Sequence, residues 1–332
     1  MFNTLEEIFN KYNYNTTVIN EYKSIEKYIL DLYNIHLIEL NTNDILKNYW
    51  NGNYYRVIEK DYEKMKKYYL MAIEKGCINS MHNLANYYRI IEKDYEKMKY
   101  YYLMAIQKDN IDSMYKLANY YKEIEKDYVK MKDYYLMAIK KGNIYCMYNL
   151  ANYYQEIEKD YVKMKDYYLM AIEKGDRSSM YNLAIYYEEI EKDYVKMKDY
   201  YLMAIEKGDI DSMNKFAYYY QEIEKDYDKM KDYYLMAIEK DDNESMNNLA
   251  VYYEQIEKDY EKMKQYYFMA IEKGNINSMI NLANYYEEIE KDNEKKKQYY
   301  LMAIEKGDRI SMIKLANYYE ENILKKMKIN EI

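Results

Sequence analysis

The sequence predicts an all-α fold, an α-solenoid of stacked antiparallel helix hairpins with a 33-residue period. Three observations predict it. The stretch Asp127 to Lys159, D-Y-V-K-M-K-D-Y-Y-L-M-A-I-K-K-G-N-I-Y-C-M-Y-N-L-A-N-Y-Y-Q-E-I-E-K, recurs through the chain, with copies opening at Asp61, Asp94, Asp127, Asp160, Asp193, Asp226, Asp259 and Asp292. Each copy holds two apolar patterns at helical spacing, and two helices in a unit of this length make a stacked array. Six of the seven glycines (Gly76, Gly142, Gly175, Gly208, Gly274 and Gly307) fall at one register, directly after the first pattern.

Residues 1–42 do not fit the repeat. Leu5, Ile8, Phe9 and Tyr12 share one helical face, and Ile19, Tyr22, Ile25, Ile29 and Leu32 share another. This segment is expected to be a helical cap over the open end of the stack. The array is expected over 43–324: a degenerate half repeat to residue 60, then eight units. In the half repeat Gly52 takes the small-residue register and Asn51 the Leu register. Packing there is expected to be poorer, with Trp50 placed to fill the gap.

Within a full copy the first pattern is a helix, here called B. Tyr128, Met131, Tyr134, Tyr135, Ala138 and Ile139 lie on one face. Asp127 stands at its N-cap, where a carboxylate accepts free N–H groups of the first turn. Gly142 stands where the helix must stop. Asp109 and Asp241 replace Gly in two copies, so those two ends are expected to be weaker. Leu136 and Met137 lie off the main stripe, and stacking is expected to bury them.

The second pattern is helix A. Asn143, or Asp176 and Asp209 in later copies, can cap it. Met147, Leu150, Ala151, Tyr154 and Ile157 form its apolar stripe. It must turn back within Glu158–Lys159, and so short a link makes the neighbours antiparallel. The last helix A runs on beyond Tyr319 and is expected to be longer. Residues 325–332 form a C-terminal tail.

The run M-Y-N-L-A-N-Y-Y followed by Asp160 to Gly175, D-Y-V-K-M-K-D-Y-Y-L-M-A-I-E-K-G, resembles the Sel1-like repeat of the tetratricopeptide-like superfamily. Leu150-Ala151 and Tyr154 match the pattern of the family's first helix. Tyr167-Tyr168, Ala171-Ile172 and Gly175 match its second. The match covers roughly residues 43 to 324. Two departures stand out: the family's Gly-rich loop between helices is missing, and Met131 and its equivalents stand where the family prefers Ala. Both bear on superhelical curvature rather than on hairpin stacking. The resemblance implies a right-handed superhelix, a scaffold or adaptor role, and no chemistry of its own. Large DNA viruses of protists encode similar arrays, and the bias toward Asn, Lys, Ile and Tyr fits an AT-rich genome, so a viral protein is expected.

Composition agrees with a binding array rather than an enzyme. Tyr accounts for 53 of 332 residues and Pro is absent. The net charge is −8, with Lys and Glu interleaved in nearly every turn, and such interleaving makes a solvated mixed-sign face. A nucleic-acid protein would gather its cations on one side, so no nucleic-acid partner is expected. Two histidines, His36 and His82, supply neither a catalytic triad nor a multi-His metal site. No phosphate-cradling Gly loop is present, and no cofactor is expected. Cys77 and Cys146 lie two units apart, beyond disulfide reach. That pairing-free usage suits a reducing, cytoplasmic setting, the host cytoplasm for a viral protein. The N-terminus does not read as a signal peptide, and no apolar run approaches membrane-spanning length.

Comparison of copies separates scaffold from surface. Three helix A registers vary and share a face away from the core stripe. In copy order they hold His82, Asn86, Arg89; Tyr115, Asn119, Lys122; Tyr148, Asn152, Gln155; and Tyr181, Ile185, Glu188. The series continues through Asn214, Tyr218, Gln221; Asn247, Val251, Glu254; Ile280, Asn284, Glu287; and Ile313, Asn317, Glu320. In tetratricopeptide-like stacks helix A lines the concave groove, so by resemblance this is the candidate partner-binding surface. An Asn amide offers both donor and acceptor to an extended peptide. The cations Arg89 and Lys122 at one end and the glutamates at the other suit a peptide whose acidic end lies toward the N-terminal repeats. The expected function is a monomeric, non-enzymatic scaffold for a peptide or protein partner. The alternatives are a self-assembling structural protein and, behind it, a repeat-based RNA binder.

Overall fold

The computed structural model describes residues 44–329, with side chains through Glu320. The cap expected over 1–42 lies outside the described residues, as do residues 330–332. Among the described residues there are seventeen α-helices and no strand. The A-type helices are α1 (Asp44–Tyr54), α3 (Ile78–Tyr87), α5 (Ile111–Tyr120), α7 (Ile144–Tyr153), α9 (Arg177–Tyr186), α11 (Ile210–Tyr219), α13 (Asn243–Tyr252), α15 (Ile276–Glu288) and α17 (Arg309–Ile329). The B-type helices are α2 (Tyr62–Glu74), α4 (Tyr95–Ile106), α6 (Tyr128–Lys140), α8 (Tyr161–Glu173), α10 (Tyr194–Glu206), α12 (Tyr227–Ile238), α14 (Tyr260–Glu272) and α16 (Asn293–Glu305). The chain forms two compact units, Met1–Tyr167 and Tyr168–Ile332.

In the hairpins that lie within one unit the A helix packs most closely on the B helix that follows it. In α5 and α6 the seam is Leu117 and Ala118 against Met131, Tyr135 and Ala138, all without solvent exposure. Alanine on both sides lets the two backbones approach. The caps follow the sequence. Asp127 accepts from the Lys130 N–H at 3.0 Å, and Asn110 accepts from the Ser113 N–H at 2.7 Å. Gly142 takes φ +85° and donates to the Ile139 carbonyl, while Asn143 donates to that of Ala138. This crossed pair is the Schellman stop. Where Asp109 and Asp241 replace Gly they are held at φ 64° and 65°. The helices they end, α4 and α12, have 12 residues rather than the 13 of α6.

The A helices end in a way the periodicity did not show. Each of α1 to α13 on the A side passes into a five-residue π-helical turn, such as Tyr121–Glu125 after α5. A left-handed lysine closes each turn; Lys159 has φ 56°. The reversal falls at Glu158–Lys159, as the link length requires. The π turn also swings Ile157 outward. It is about half exposed and is not part of the buried stripe to which its spacing assigned it.

Two further packing expectations change. Leu136 and Met137 keep 36% and 39% exposure, so stacking covers them only in part and leaves a half-open apolar edge on helix B. At Gly52 packing is tight rather than poor. A Cβ there would lie 2.4 Å from the Tyr69 ring, which occupies the space beside the buried Trp50. Successive hairpins are joined by a repeated polar clamp. Glu158 accepts from Lys132 at 2.7 Å and from the Tyr153 hydroxyl at 2.9 Å. Glu92, Glu125, Glu224, Glu257 and Glu290 do the same with their own Lys and Tyr. In the last hairpin Lys296 replaces the core Met. It is buried, bonds Glu287, and lies 4.2 Å from the Tyr318 ring centroid. α17 is the longest helix described, at 21 residues.

Candidate binding surface

Most side chains at the three variable registers are half-buried. The structure shows first what the asparagines do for the fold. Helix B carries a wholly buried tyrosine in every copy, and a buried phenol needs a partner. Tyr102 donates to the Asn86 side-chain carbonyl at 2.7 Å, Tyr135 to that of Asn119 at 2.5 Å, and Tyr300 to that of Asn284 at 2.7 Å. One more rung lies upstream, where Tyr69 donates to Asn53 at 2.7 Å. Asn53 stands 33 residues before Asn86, a signal present in the sequence but hidden in the degenerate half repeat.

In two of the three copies that lack the asparagine, a glutamate one turn later takes its place; the third has Tyr218 and Gln221, and its Tyr234 hydrogen-bonds Asn248 instead. Ile185 is followed by Glu188, which accepts from Tyr201 at 2.8 Å. Val251 is followed by Glu254, which accepts from Tyr267 at 2.7 Å. Burial raises the Glu254 carboxyl above its ordinary range and pushes both phenols up strongly. Glu287 bonds Tyr300 and Lys296. Each of these three glutamates thus accepts from an internal partner.

The remaining predicted residues are placed as follows. Tyr115 packs against Tyr135 and Tyr145, with ring centroids 6.4 and 6.3 Å away. Tyr181 packs against Tyr201 at 6.1 Å. Tyr148, Asn152 and Gln155 are half-buried on the same face and have partners of their own. Asn317 is exposed. His82 meets the Ser113 hydroxyl at 2.8 Å, and burial lowers its pKa to about 4, so the ring is neutral near pH 7.

Arg89 and Lys122 differ from their neighbours. With Arg56, at the same register of the preceding hairpin, they make no ion pair among the described residues. The Nε atoms of Arg56 and Arg89 are buried without a hydrogen-bond partner. Burial raises Tyr102 to about 12, and Arg89 opposes that shift through its charge and a hydrogen bond. No group of three His, Cys, Asp or Glu that could hold a metal occurs among the described residues. Nor is any described helix long and apolar enough to cross a membrane.

No protein-family model matches the sequence, and no curated protein matches it. Solved structures do. A Sel1 repeat protein from Oxalobacter formigenes is similar with a TM-score of 0.63 at 14% identity, over 90% of this chain and 94% of that one. The protein c5321, a protective antigen of uropathogenic Escherichia coli strains displaying an SLR fold, is similar with a TM-score of 0.56 at 21% identity. That match covers 82% of this chain and 64% of the antigen, so the chain spans less than two thirds of that relative. Likeness at these identities concerns architecture, and it shows that this chain has a Sel1-like repeat fold.

Proposed function

We propose that this protein is a non-enzymatic interaction scaffold that holds a peptide or protein partner along its A-helix face. One observation carries the reading. Positions that build the hairpins barely change between copies, whereas the varying positions gather on one half-buried face of polar and aromatic side chains. Half-buried Tyr and Arg give large contact area at low ordering cost, the residue types that dominate binding surfaces. Solenoids present such faces as extended recognition surfaces.

The test is selection of random peptides on the full chain, followed by binding to a Tyr115→Ser, Lys122→Glu variant. Selected peptides should bind the variant at least tenfold more weakly, with its helical circular dichroism signal intact at the assay temperature. Undiminished binding would move the site off this face.

A further inference from the structure

We propose that the A-helix face of the unit Met1–Tyr167 takes an extended acidic peptide carrying a carboxylate at about every third residue. The proposal rests on the scaffold reading above and names its ligand. Arg56, Arg89 and Lys122 occupy one register of three successive A helices, 33 residues apart. The chain has four arginines, and two stand here.

Exposed lysines of this unit such as Lys67, Lys93 and Lys126 make no ion pair among the described residues either, but the half-buried lysines of the B helices are paired. Lys66, Lys99 and Lys132 on the B helices each bind a glutamate of the next hairpin. Arg56, Arg89 and Lys122 are also half-buried and make no such pair, although acidic residues are abundant. The variable registers in this unit hold His82, Asn86, Tyr115, Asn119, Tyr148, Asn152 and Gln155 beside the cations, with no acid among them. His82 is neutral, and the Asn86 and Asn119 carbonyls face inward to tyrosines. Asp112 lies near His82 and Glu123 near Tyr135, but neither comes within ion-pair distance of the three cations.

The buried, unpartnered Nε atoms of Arg56 and Arg89 are a second and independent observation. A buried donor without an acceptor is costly, so each guanidinium gains by turning outward to meet a carboxylate. Guanidinium presents a planar fork matched to a carboxylate.

Spacing sets the ligand's period. α1 and α3 are in contact, and packed helices lie roughly 8–10 Å apart. A chain in the extended polyproline II conformation advances about 3.1 Å per residue and turns once in three, which keeps every third side chain on one side. Three residues therefore span one rung, and acids at i, i+3 and i+6 meet successive cations.

The experiment uses the full chain and fluorescein-labelled peptides, read by fluorescence anisotropy. One peptide repeats Asp-Gly-Ser four times; the other has the same composition with its four aspartates adjacent. The spaced peptide should bind more tightly and weaken as NaCl is raised. Arg89→Gln should lower its affinity about tenfold, and the triple variant R56Q/R89Q/K122Q about a thousandfold, each lost contact being worth about 1.4 kcal/mol. Circular dichroism melts confirm that the variants fold. Equal binding of the two peptides, or unchanged binding by the triple variant, overturns the proposal. A parallel panel of neutral random 12-mers separates the two readings. Retention of neutral peptides in a Tyr115-dependent way, with the acidic peptide ignored, sinks this inference and leaves the scaffold standing. Retention of neither sinks both.

Discussion

At the scale of single residues, one hydrogen bond makes a surface position and a core position interdependent. Asn119 is on the candidate surface, yet its carbonyl satisfies the buried Tyr135 phenol. Asn119→Ala should cost roughly 1–3 kcal/mol by orphaning that hydroxyl, while Tyr135→Phe should cost nearer 1 kcal/mol, because the freed amide is half-buried and reaches water. The double variant should be less destabilised than the sum of the two, as measured by thermal melts of all four proteins. The cysteines give a second residue-scale expectation. Burial pushes the Cys146 thiol up to about 12, and Cys77 is only half-buried. A thiol-reactive dye should label one site per native chain, Cys77, and two after denaturation.

At the scale of elements, the turns differ in how far they were legible. The B-to-A turn was legible because its glycines recur and because left-handed backbone excludes most other residues. Nothing lies within 4 Å of a Cβ built on Gly142, so Gly142→Ala tests the backbone alone. It should lower stability by about 1–2 kcal/mol, the usual cost of a left-handed residue with a Cβ, read as a fall in melting temperature. The A-to-B turn was legible in its place, Glu158–Lys159, but not in its form. Its left-handed position is lysine in copy after copy, a residue with no preference for that region, and Ile157 continues the helical spacing into a π turn that exposes it. The candidate face could be found from copy-to-copy variation, since both ladder and cations recur at a fixed interval. What the asparagines bond could not, because the partner tyrosine lies 16 residues on and the spacing alone does not orient either side chain.

At the scale of the whole molecule, repetition multiplies small electrostatic effects into a stability window. The hairpin clamps hold glutamates below their ordinary range: Lys132 chiefly, then Tyr153, does so for Glu158, and Lys198 then Tyr219 for Glu224. A lowered carboxyl contributes stability above its unfolded value, about pH 4.5, and loses it as pH falls through the lower folded value. Burial raises Tyr87, Tyr102, Tyr120, Tyr153, Tyr234 and Tyr252 to about 12. A raised phenol contributes stability below its unfolded value, 10.0, and loses it as pH climbs toward 12. Helical signal followed by circular dichroism should therefore hold between about pH 5 and 10 and fall on both sides. Retention of full thermal stability at pH 11 would contradict the burial of these phenols. The same repetition has an evolutionary side, seen in the exchange of Asn for Glu at Tyr201 and Tyr267. A duplicated hairpin cannot drift freely in what it shows to a partner: losing one rung residue obliges a neighbour to take over the hydroxyl. Variation on the outside is thereby tethered to a debt on the inside, and new specificities should arise as coupled pairs of changes rather than as single ones.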